Sequence, residues 1–263
     1  MADSSRTLAS WLALVSIALS PLSAYAIRHG VPTAVGAFPA VGMLEPACTA
    51  TLITPDTVIA ANHCVKQAGA TAYLKFHYVD AKGKEVILSA IPTIQPAILA
   101  SLPSQELALI RLNGSVKGVI FPTLSTAVMT ATPKIGTIVG FGATEALPVS
   151  QKLLQGSVKY SLKAVTLTSP TGQSFPNIPM WKTVPADAKI DNLACSGDSG
   201  GPLFDDKGQL LGIVSGYYEG DANFAALGMS AQCAKAPWVY YVPVQPYLKW
   251  IKESLVKLGS AKN

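Results

Sequence analysis

The residues best suited to chemistry stand in the run Gly197-Asp198-Ser199-Gly200-Gly201-Pro202. Glycine reaches backbone angles that let successive N–H groups point the same way, so a serine among glycines sits where backbone can approach a reacting carbonyl. Donors arranged like this stabilise the negative oxygen of a tetrahedral intermediate, often the largest single contribution to acyl transfer. A hydroxyl is a weak nucleophile at neutral pH and needs a positioned base. The chain has 3 histidines, so the search for that base is short. His29 lies near the N-terminus, and His77 lies in a strand-like pattern with Tyr73 and Tyr78 close by. His63 ends the buried-looking run Val58-Ile59-Ala60-Ala61-Asn62 and precedes Cys64, whose disulfide would fix the backbone of the ring.

These residues need a scaffold, and the apolar pattern predicts one made of strands. Short apolar or alternating runs recur at Ala50–Ile53, Thr57–Ala61, Ala72–Val79, Glu85–Ala90, Leu107–Leu112, Thr137–Gly140, Ser157–Leu162 and Leu210–Ser215. Asp80-Ala81-Lys82-Gly83-Lys84 reads as a hairpin turn between two of them. Many short strands with close turn signals predict an antiparallel sandwich or barrel. The Pro-rich stretch Pro170–Pro185 reads as a long surface loop. At the C-terminus the period changes, and Leu248, Ile251, Leu255 and Leu258 share one face of an amphipathic helix that docks on the body.

Arg6 precedes an apolar run from Trp11 to Leu19, followed by Pro21 and Ala24-Tyr25-Ala26. That order predicts a secretory signal peptide over residues 1–26, with an apolar core about half the roughly 20 residues needed to span a bilayer. The expected destination is outside the cell or a periplasm. The formal net charge of +5 is spread without a Lys/Arg cluster, so no nucleic-acid surface is expected. No span is expected in the mature chain. An even cysteine count in an exported chain favours disulfides over metal binding, and no C-x-x-C spacing is present. Cys48, Cys64, Cys195 and Cys233 allow three pairings, among which spacing does not choose. No metal or cofactor is expected.

The sequence resembles the chymotrypsin/trypsin family of serine peptidases. The matching stretches are Cys48–Thr54, Ala60–Val65, Glu106–Ile110, Gly140-Phe141-Gly142, Cys195–Pro202, Gly212–Gly216 and Pro237–Tyr240, in the family's order. The resemblance implies an all-β fold of two antiparallel six-stranded β-barrels with a C-terminal α-helix. It implies a peptidase domain over residues 27–263, with barrels at about 27–130 and 131–245 and the helix at about 245–259. Ser199 would be the nucleophile, His63 the general base, and Gly197 and Ser199 the oxyanion donors. Ser215 and Gly216 would pair with the substrate backbone as an added strand. The implied disulfides are Cys48–Cys64 and Cys195–Cys233. Ile27 stands where the family's freed terminus pairs with the acid before the nucleophile, here Asp198, so signal cleavage would itself create the activating end. The expected partner is a protein or peptide substrate, a protein inhibitor is a candidate second partner, and the expected state is a monomer.

The sequence departs from that pattern in its acid and its pocket. Glu106 stands where the family has Asp, and Asp80 and Glu85 are weaker alternatives beside a predicted turn. Asn62 replaces a small Ala, with two roles open: a bond near Glu106 or a turn cap. Leu193, Tyr217 and Trp238 stand where a basic-side-chain pocket would carry Asp, Gly and Gly. The expectation is a small apolar P1 residue, because no carboxylate offsets the desolvation of a charged one. Two other readings remain: a catalytically impaired trypsin-fold binding protein, and an esterase-type serine hydrolase.

Overall fold

The structure is a computed structural model that describes residues 27–67, 74–80, 82–94, 106–143, 152–168, 174–184, 192–217 and 226–260. The expected signal peptide lies outside these residues. After a short strand β1 (Val31–Pro32), six strands form the first barrel: β2 (Val41–Leu44), β3 (Cys48–Thr54), β4 (Thr57–Ala61), β5 (Lys75–Val79), β6 (Glu85–Ile94) and β7 (Leu107–Leu112). They close in the order β2-β3-β4-β7-β6-β5. The second barrel comprises β8 (Lys134–Gly140), β9 (Leu154–Thr168), β10 (Ser174–Val184), β11 (Pro202–Phe204), β12 (Leu210–Tyr217) and β13 (Val239–Pro243). Its sheet runs β9-β10-β13-β12-β11-β8, and the β8–β9 pairing closes it. Two antiparallel six-stranded barrels are therefore present, as the motifs implied. β1 precedes the first barrel in sequence yet pairs with β9 of the second.

The pattern of burial explains the runs seen in the sequence. In β4, Val58 and Ala60 face the first-barrel core with Ala50, Leu52, Phe76, Ala108 and Ile110. Ile59, from the opposite face, joins Leu107, Leu109, Ile213, Val242 and Tyr247 in a second apolar cluster. A strand buried on both faces loses its polar alternation, which is why Thr57–Ala61 reads as one continuous run. Three helices complete the described residues: α1 (Asn62–Gln67), α2 (Met229–Lys235) and α3 (Leu248–Leu258). Helix α3 buries Ile251 in the second cluster, with Leu248, Leu255 and Leu258 packed against it. It ends at Gly259, whose φ of 61° is the left-handed conformation glycine adopts at little cost.

The hairpin at Asp80 is present, with Asp80 N–H donating to the Lys84 carbonyl at 2.9 Å. The Pro-rich segment is a correction: Ser174–Val184 is strand β10, not a surface loop, and Ile178, Met180, Trp181 and Thr183 are buried. Its prolines fit because of where they fall. Pro176 lies in the register shift between Phe175 and Ile178, and Pro179 precedes the Trp181–Thr183 stretch that pairs with β13. A missing N–H does least harm at a bulge or where a strand has only one neighbour.

Candidate active site

Two pieces of the first barrel meet at its rim. β4 pairs with β7 so that Ala61 lies opposite Leu107, and Asn62 N–H donates to the Glu106 carbonyl at 2.8 Å. One residue further, at the start of α1, His63 Nδ1 lies 2.9 Å from Glu106 Oε2. Both side chains are about one third exposed, at 29% and 31%. Cys64 is bonded to Cys48 on β3, with Cα atoms 6.2 Å apart, which ties α1 to the barrel directly after His63. The sulfurs of Cys48 and Cys64 cluster with His63, but bonded to each other they supply no thiolate to a metal.

The other histidines and acids have different partners. His77 lies 2.6 Å from Glu45 through Nε2 and 3.0 Å from Glu85 through Nδ1. Asp80 accepts hydrogen bonds from the Lys82 and Lys84 N–H groups in its own turn. His29 is exposed. Only Glu106, of the three acids weighed from sequence, stands beside His63. Asn62 is fully buried, and its side-chain amide has no hydrogen-bond partner among the described residues, so it neither bonds Glu106 nor caps a turn.

The second barrel supplies the turn around Ser199, and Thr49 of β3 clamps that turn to the first barrel. Thr49 N–H donates to the Ser199 carbonyl at 2.9 Å. The Thr49 hydroxyl donates to the Gly197 carbonyl and accepts from Phe141 N–H, each at 3.1 Å. Gly200 has φ +83°, and a Cβ there would lie 2.2 Å from the Thr49 carbonyl oxygen and 2.9 Å from the Ala61 nitrogen. The glycine after Ser199 thus lets the turn press against the strand that leads to His63. Among the described residues, neither the Gly197 nor the Ser199 N–H donates to a protein acceptor. Thr49 was not singled out from sequence, because a threonine in a strand carries no local mark of a contact 148 residues away.

Asp198 is buried beneath this turn. Its carboxylate accepts from Gly142 N–H and Cys195 N–H, each at 2.8 Å, and from the Ile27 N–H. Burial pushes its carboxyl up to about 7, against the pull of those donors. The Gly140-Phe141-Gly142 motif builds this cradle, since a Cβ at Gly140 would lie 2.0 Å from Asp198 Oδ1. Ile27 is fully buried, with φ +61°, an outlier for a β-branched residue. The next residue donates from its N–H to the Leu193 carbonyl at 2.8 Å.

The residues expected to bind substrate surround the turn unevenly. Leu193 is fully buried in the second-barrel core, in one cluster with Ile27, Val214 and Val239. Ser215 and Gly216 lie on β12 and are partly buried. Gly216 pairs with Tyr240 and Tyr217 pairs with Val239 through the backbone. Trp238 lies 5.9 Å from the Tyr240 ring, and Lys182 Nζ stands 3.9 Å over its face. Burial, aided by Lys163, lowers the Lys182 pKa. Cys195 is bonded to Cys233 in α2, with Cα atoms 5.0 Å apart.

Comparison with known proteins identifies the family and the fold. The family model described as Trypsin matches residues 27–251. Two Corynebacterium glutamicum peptidases, one named as uncharacterized, are each 28% identical over 210 residues, covering 78% of this chain and 63% of theirs. A mosquito protein from Aedes aegypti, named as inactive CLIP domain-containing serine protease A3, is 25% identical over 222 residues, covering 78% of this chain and 45% of its own. The chain therefore spans between about half and two thirds of the length of these relatives. Among solved structures, mouse neuropsin, a serine protease expressed in the limbic system, superposes with a TM-score of 0.61 at 20% identity, covering 87% of this chain and 100% of its own. That likeness concerns the fold. With the family model matched from Ile27 to Ile251, in the first turn of the terminal helix, the chain belongs to the trypsin family.

Proposed function

We propose that this chain is a secreted serine endopeptidase that works through an acyl-enzyme on Ser199. The observation that carries the reading is the His63–Glu106 pair at 2.9 Å, held at the barrel rim that the Ser199 turn presses against. Ser199 Oγ attacks the peptide carbonyl while its proton passes to His63 Nε2. The C–O bond forms, and the carbonyl oxygen becomes an anion that the Gly197 and Ser199 N–H groups receive. Collapse breaks the C–N bond, and His63 returns the proton to the departing amine. Water then repeats the sequence on the acyl-enzyme and frees Ser199. Glu106 holds the imidazole in the tautomer that keeps Nε2 available and stabilises it once protonated.

Ile27 is read as the mature terminus. Cleavage after Ala26 would turn its amide into an ammonium facing Asp198 and release the strained φ, since that torsion needs a preceding carbonyl. Both changes favour the inserted state. The pocket is read as offering no carboxylate to a basic P1 side chain, because Leu193, buried in the core, stands where the acid would be; Trp238 stands nearby as a candidate wall, and the Tyr217 side chain lies outside the described residues. Ala or Val is therefore expected at P1, and Lys or Arg is not. Disulfides suit the oxidising compartment that a signal peptide implies. Among the described residues no helix is long and apolar enough to cross a membrane.

A fluorophosphonate probe tests the chemistry, with Ser199→Ala as control. Labelling of the unaltered protein alone, followed by cleavage of a peptide library with small apolar P1 residues, is the expected result. Absence of labelling would favour the impaired binding protein, a reading supported by Glu106 in place of Asp and by the mosquito relative named as inactive. Labelling with turnover of esters but not peptides would favour the esterase.

A further inference from the structure

Arg28 occupies the second position of the proposed mature chain, where the resembling family carries a small apolar residue. It is 5% exposed. Its Nη1 lies 2.8 Å from the Ala236 carbonyl oxygen, 3.2 Å from that of Ala234 and 3.4 Å from that of Cys233. These carbonyls belong to the C-terminal end of α2 and its cap, where a helix exposes unsatisfied acceptors and the negative end of its dipole. A guanidinium is suited to this because it presents several donors in a rigid plane and stays charged when buried.

The chain on either side of these contacts gives them meaning. On the N-terminal side, Ile27 meets Asp198, and Asn192 Nδ2 donates to the Arg28 and His29 carbonyls at 3.0 and 2.7 Å. At the far end, Ala236 is followed by Pro237 and Trp238, and Cys233 is bonded to Cys195, three residues before Asp198. One side chain therefore bridges the segment that must insert for activation and the segment that carries the cleft wall, across 208 residues of sequence.

We infer that Arg28 is a positioning residue that couples insertion of the Ile27 terminus to placement of the Trp238 wall. The inference rests on the proposed peptidase reading. Such coupling is reciprocal: filling the cleft must make the terminus harder to withdraw, by the same factor that insertion tightens the cleft.

The test measures carbamylation of the Ile27 amine by cyanate in mature protein, with and without a saturating peptidyl boronate carrying alanine at P1. In the unaltered protein the boronate should slow modification at least about tenfold, a coupling within the range found for linked sites. Arg28→Met should bring that ratio close to one and raise KM for peptides more than it lowers kcat, while Arg28→Lys restores part of the ratio. A merely structural role would expose the amine equally in both states and leave the ratio intact, which overturns the inference. If Arg28→Met does not fold, Arg28→Lys and Arg28→Gln are compared in its place, with the same ratio deciding. Failure of the unaltered protein to react with fluorophosphonate sinks the peptidase reading and the coupling together; normal reaction with an unchanged ratio sinks the coupling alone.

Discussion

The two barrels hold their halves of the site in different ways. In the first, the ladder between β4 and β7 brings Glu106 beside Asn62 and His63, and a disulfide locks the following residue. Among the described residues, the contacts that bring His63 and Glu106 together lie within that barrel. In the second, the turn around Ser199 rests on a buried carboxylate, a glycine cradle and the backbone N–H of the buried Ile27. The His63–Glu106 pair is thus built by ordinary strand pairing, whereas the Ser199 turn, on the proposed reading, depends on a terminus that signal cleavage would create. If the proposed reading holds, the first-barrel pair stays assembled whatever the state of Ile27, and only the Ser199 half responds to it.

The largest expected effect tests the proposed nucleophile, on which the second barrel's half depends. Ser199→Ala should lower peptide hydrolysis by at least about 10⁴-fold and remove probe labelling, as removal of a member of a cooperative triad does. Glu106→Ala comes next, with kcat expected to fall by roughly 10³ to 10⁴-fold because the imidazole loses its orienting acid. Glu106→Asp should retain or raise activity. Full activity in the alanine variant would show that the first barrel contributes His63 without an acid. Asp198→Asn in mature protein should cost on the order of 10²-fold or more in kcat/KM, from loss of the charge that holds the ammonium. It should leave the His63–Glu106 pair unchanged, read by the imidazole proton resonances.

A pH titration of stability separates the two forms of the second barrel. With residue 26 still joined to Ile27, the Asp198 carboxyl is raised in the folded state, from 3.8 to about 7. As pH rises between these values the unfolded chain ionises first, so the folded state binds more protons and stability falls. The loss should reach at most on the order of 4 kcal/mol and flatten above the folded value. A variant with an uncleaved extension ahead of Ile27 should show this decline by urea denaturation, and mature protein should show much less. Equal pH profiles would argue against the Ile27–Asp198 pairing. The smallest effect belongs to the clamp between barrels. Thr49→Val removes a buried hydroxyl that satisfies two groups, costing about 1–3 kcal/mol of stability, with a modest fall in kcat.

Candidate residues were legible along the chain wherever local covalent geometry forces the residue type. Gly200 must be glycine for the backbone to turn beside a strand, and Cys64 follows His63 directly, so both left a readable mark beside the residues that matter. The α3 helix was legible for a similar reason, since its period lies within eleven consecutive residues. Contacts formed between distant parts of the chain left no such mark. Thr49 clamping the Ser199 turn, His77 drawn to Glu45 and Glu85, Leu193 sunk into the core beside Ile27, and Arg28 reaching the end of α2 were decided by the tertiary structure. So was β10, whose prolines suggest a loop until the register shift and its single-neighbour stretch accommodate them. Spacing along a chain encodes neighbours within a turn or a strand. Barrel closure and barrel docking bring together residues more than a hundred positions apart, and that proximity exists only once the strands have found their partners.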